Sequence, residues 1–69
     1  MINEAKVLKV VKSVTDTNAY FYNGTLFLET VNSKIAVRVF NAICEKITTA
    51  VAFGKYDEKV TTYDFLGWQ

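Results

Sequence analysis

The chain has 69 residues, is 51% hydrophobic and 22% charged, and sets eight Lys/Arg against seven Asp/Glu for a formal charge of +1. This is the composition of one small globular domain spanning residues 1–69, too nearly neutral to mark a polyanion-coating protein. With no histidine and one cysteine, it lacks the commonest general base and metal ligand, and Cys44 alone makes neither an internal disulfide nor a zinc site.

No apolar run approaches the roughly 18 residues that span a bilayer, and the N-terminus has no signal-peptide pattern. The lone thiol fits a reducing compartment, so a cytoplasmic location without membrane contact is expected. A domain of this size buries only about 60% of the surface its unfolded chain exposes. Without disulfide or metal to compensate, association with itself as a dimer or with a larger protein is expected.

The first element, Ala5 to Val14, is rich in valine and reads as a strand. Val7, Leu8, Val11 and Val14 also share one helical face opposite Lys6, Lys9 and Ser13, and Asn3 is placed to cap such a helix. Helix is therefore the alternative.

Asn23-Gly24 lies between the aromatic and β-branched runs Ala19–Tyr22 and Thr25–Leu28. A type I′ turn needs positive φ at both central residues, so this dipeptide predicts a two-residue hairpin. Its register pairs Tyr22 with Thr25, Phe21 with Leu26, Tyr20 with Phe27 and Ala19 with Leu28. Alternation then puts Ala19, Phe21, Leu26 and Leu28 on one face and Tyr20, Tyr22, Thr25, Phe27 and Glu29 on the other. Asn23-Gly24-Thr25 also fits the glycosylation acceptor pattern, but the turn accounts for it.

From Ser33 to about Phe53, apolar residues recur at three- and four-residue steps: Ile35, Ala36, Val39, Phe40, Ile43, Ile47, Ala50 and Val51. Lys34, Arg38, Asn41, Glu45, Thr48 and Thr49 fall opposite, predicting one long amphipathic helix with Ser33 as N-cap and Gly54 as C-cap. Glu58 to Leu66 reads as a final strand. The predicted architecture is α+β, a small antiparallel sheet in the chain order β-β-β-α-β with the helix on one face. The alternative order is α-β-β-α-β.

No catalytic constellation is legible. The carboxylates stand in no recognisable motif, Asp57-Glu58 reads as a solvated turn, and the three glycines are too scattered to cradle a phosphate. Cys44, near the edge of the apolar stripe, reads as a small core residue. The chain is read as non-catalytic, with no cofactor and no metal.

If the helix covers the Phe21/Leu26/Leu28 face, Tyr20, Tyr22 and Phe27 stand on the open side unless the face is swapped or Trp68 folds over it. Exposed aromatic clusters mark binding surfaces, and tyrosine offers wide contact with little rotamer entropy to lose. The expected function is a protein-binding module that regulates or inhibits a larger protein by occupying its surface, with Tyr20, Tyr22 and Phe27 as anchors and Lys34 and Arg38 at the periphery. Chains this small and bare of catalytic groups often come from bacteriophages or mobile elements and block host proteins. The alternative is a single-stranded nucleic-acid-binding protein that stacks bases on the same rings and holds phosphates with Lys6, Lys9 and Lys12. No Lys or Arg occurs from residue 13 to residue 33, which weakens it.

Overall fold

A computed structural model describes residues 2–66. In chain order the elements are α1 (Glu4–Val14), β1 (Ala19–Tyr22), β2 (Thr25–Leu28), α2 (Ser33–Lys46), β3 (Val51–Lys55) and β4 (Thr61–Phe65). The fold is α+β. Its four strands form one antiparallel sheet in the order β1-β2-β4-β3.

The order α-β-β-α-β-β corrects the expected β-β-β-α-β and adds a strand to the alternative. The first segment is a helix, begun where the Asn3 side chain accepts the Lys6 amide at 3.1 Å. The valines at 7, 10 and 11 then reach the core together.

The long helix is also shorter than its apolar spacing predicts. It ends at Lys46, with Ile47 as C-cap, and Val51–Lys55 leaves it to pair with β4. Ile47, Thr48 and Thr49 are β-branched and lose rotamer freedom in a helix, whereas the β3–β4 ladder supplies backbone partners. Gly54 is accordingly an extended residue of β3 and caps nothing. The expected strand from Glu58 starts only at Thr61, because Asp57 forms a tight turn: its carboxylate accepts the amides of Lys59 (2.7 Å) and Val60 (2.8 Å).

Nor is Ser33 the cap of α2. Asn32 is, accepting the amides of Lys34 at 3.0 Å and Ile35 at 3.2 Å. Asn32→Ala is expected to cost about 1 kcal/mol, and Ser33→Ala only a few tenths at most. Urea unfolding of the two variants checks the assignment.

The hairpin forms in the expected register. Asn23 and Gly24 take φ of 51° and 79°, the positive pair that a type I′ turn requires. Both helices lie on the sheet face that carries Leu26, Leu28 and Tyr63, all fully buried, and Val7, Val11, Val39 and Ile43 close the core from the helix side. Tyr63 ties the layers together: its hydroxyl donates to the Ala36 carbonyl inside α2 at 2.7 Å. Burial pushes its pKa upward. Thr61, the buried polar residue of this layer, donates to the Thr30 carbonyl at 2.6 Å. Cys44 is a free, half-buried thiol packed against the core.

Candidate functional site

With both helices on one face, the opposite face of the sheet has no layer over it among the described residues. Alternation along each strand puts Tyr20 and Tyr22 of β1, Thr25 and Phe27 of β2, Thr62 and Asp64 of β4, and Ala52 and Gly54 of β3 on that open side. Tyr56, next in the alternation after Gly54, joins them through a Tyr56 amide to Val60 carbonyl bond of 2.8 Å.

The aromatic rings are organised around Phe27. Tyr20 stacks on it with centroids 5.4 Å apart and planes 1° from parallel. Tyr22 and Tyr56 meet it edge-on at 6.4 Å and 5.6 Å. Phe27 is half-buried by these neighbours, while Tyr20, Tyr22 and Tyr56 remain 40%, 64% and 67% exposed. Mutual packing of this kind restricts the rings to a few rotamers.

Beside the rings the surface drops. Across the strands, Tyr20 and Phe27 are followed by Thr62 and then Gly54, and the space over Gly54 is empty. Two carboxylates share this side. Asp64 is exposed and accepts a hydrogen bond from the Thr25 hydroxyl at 3.1 Å; Glu29, at the end of β2, is held by the Asn18 amide at 2.9 Å.

Of the residues expected at the site, Tyr20, Tyr22 and Phe27 are brought together here. Lys34 and Arg38 are not. They line an open depression on the N-terminal half of α2, with Asn32, Ser33, Ile35 and Val37, in the layer across the sheet from the rings. Lys6 and Lys9 line a second depression in the helical layer with Val10 and Ser13 of α1 and Lys46 of α2; Lys12 lies outside it. The helical layer and the sheet therefore separate these lysines from the aromatic face. Trp68, considered as a cover for the rings, lies outside the described residues.

Tyr56 is the member that sequence reasoning missed. Its signal was the alternation Ala52, Gly54, Tyr56, visible only once Val51–Lys55 is read as a strand. Among the described residues no group of three or more His, Cys, Asp or Glu could hold a metal ion, and no helix is long and apolar enough to cross a membrane. No family model matches the chain, and no curated protein or solved structure shows significant similarity to it.

Proposed function

We propose that the protein is a non-catalytic binding module that regulates or inhibits a larger protein by covering part of its surface with the open face of the sheet. The observation that carries this reading is the preassembled cluster of Tyr20, Tyr22 and Tyr56 around Phe27, its three tyrosines exposed on the side of the sheet away from the helices. Rings packed on one another and left in water are costly unless something docks on them.

The chemistry of the partner follows from the rest of the face. Asp64 and Glu29 would repel a phosphate backbone and favour a lysine or arginine, which the tyrosine faces would also attract. The nucleic-acid alternative needs cations beside the rings, and Lys6 and Lys9 lie in the opposite layer. A basic, partly apolar protein surface is the better fit.

The test is capture of the partner from the cells that make this protein, its identification, and direct titration of the purified partner. Tyr20→Ser with Tyr22→Ser is expected to abolish binding while far-ultraviolet circular dichroism is unchanged. Unaltered affinity in a folded double variant would remove the aromatic face from the mechanism.

A further inference from the structure

The edge of β1 carries an inference separate from the open face. The Glu29 amide donates to the Asn18 carbonyl at 2.9 Å, so residues 18 and 29 form a hydrogen-bonded pair. Pairs alternate in an antiparallel ladder, so Tyr20 and Tyr22 direct their backbone groups to β2, and Ala19 and Phe21 direct theirs outward. Exposed edges are usually blunted by a charge, a proline or a bulge. The β3 edge has Lys55; the β1 edge has none of these, and no charged residue stands between Asp16 and Glu29.

We infer that β1 pairs antiparallel with β1 of a second copy, joining two sheets into one of eight strands. A two-fold axis at Tyr20 sets the outward groups of Ala19 against those of Phe21 in the second copy, and the reverse. Tyr20 then faces its own counterpart in a non-hydrogen-bonded pair with Cα atoms about 4.5 Å apart. A residue on the axis of an isologous contact faces its own copy, so a charge there would repel itself. The charge-free run around Tyr20 avoids that.

The helical layer supports the same partner. The depression shared by Lys6, Lys9, Val10 and Ser13 with Lys46 shows which flank of α1 faces α2. The other flank, toward the β1 edge, carries Glu4, Leu8 and Lys12 at helical spacing. The same two-fold axis runs α1 antiparallel to its copy, so the flank that carries Glu4, Leu8 and Lys12 is turned toward the same flank of the second copy. The dimensions agree as well: four strands span about 19 Å at roughly 4.8 Å each. Two packed helices span about 20 Å at roughly 10 Å each. Edge pairing thus continues both layers in step.

The test combines light scattering with crosslinking. In a Cys44→Ala background, Tyr20→Cys should form a disulfide-linked dimer under mild oxidation. Tyr22→Cys should not, because its counterpart lies about 14 Å away along the strands. The unmodified protein should reach dimer mass as its concentration rises, and Tyr20→Lys should weaken self-association at least tenfold with its circular dichroism unchanged. A protein that stays monomeric at its highest soluble concentration overturns the inference. So does crosslinking through Tyr22→Cys in preference to Tyr20→Cys, the signature of face-to-face packing. Partner binding is read at Tyr56, away from this edge, so a monomer that still binds its partner overturns the dimer alone.

Discussion

Tyr63→Ala is expected to remove about half or more of the chain's folding stability and to bring it close to unfolding at room temperature. The ring is wholly buried between β4 and α2, stacks with Phe53 at 5.5 Å and carries the hydroxyl that reaches the Ala36 carbonyl. Truncating a large buried aromatic costs about 3–5 kcal/mol. At roughly 0.05–0.15 kcal/mol per residue, a domain of this length has only about 3–10 kcal/mol to lose. Tyr63→Phe removes the hydrogen bond alone and should cost about 1 kcal/mol, leaving a folded protein with a lower urea midpoint.

The same residue sets an alkaline limit. Burial raises its pKa above the ordinary tyrosine value of about 10, so the fold favours the neutral phenol. Its contribution to stability is complete below about pH 10 and is lost as the pH climbs further. Tyr63→Phe should therefore weaken the steep loss of stability above that pH, as followed by circular dichroism. A titration curve identical to that of the parent would assign the alkaline transition elsewhere.

Tyr56→Ser is the sharpest probe of the proposed binding face. Tyr56 is two-thirds exposed, so its loss should change stability by no more than about 0.5 kcal/mol. In the complex it would lose ring burial and its edge-on contact to Phe27. Central aromatic anchors are commonly worth about 2 kcal/mol or more, so the affinity for the partner should fall roughly 30-fold. Isothermal titration gives that number directly. Unchanged affinity would confine the contact to the β1 end of the face.

What was legible in the sequence was local. Asn23-Gly24 imposes its own backbone angles, so the hairpin register and the sides of Tyr20, Tyr22 and Phe27 could be read without knowing the rest of the fold. The start of α2 was legible to within one residue, because Asn32 and Ser33 are both good caps. What escaped depended on distant residues. Val51 continues the helical spacing of Ile43 and Ile47, and only the ladder to β4, on the far side of the Asp57 turn, makes it a strand. That error hid Tyr56. The valines of α1 suit either structure, and the core supplied by Val39 and Ile43 decides for helix. Lys34 and Arg38 are legible as charges on the exposed face of α2, and with that helix on the Leu26/Leu28 side of the sheet they stand across it from the rings.

The drop from the rings to Gly54 gives the face a relief as well as a chemistry. A flat surface laid across it would rest on the tyrosines and leave a gap above β3 and β4. A protruding loop or helix end would instead seat on that low terrace, its side pressed to the aromatic wall. On the proposed reading selectivity would come from contour: targets would be sorted by whether they own a knuckle of the right height, and side chains grown at Ala52 or Gly54 would change which ones fit.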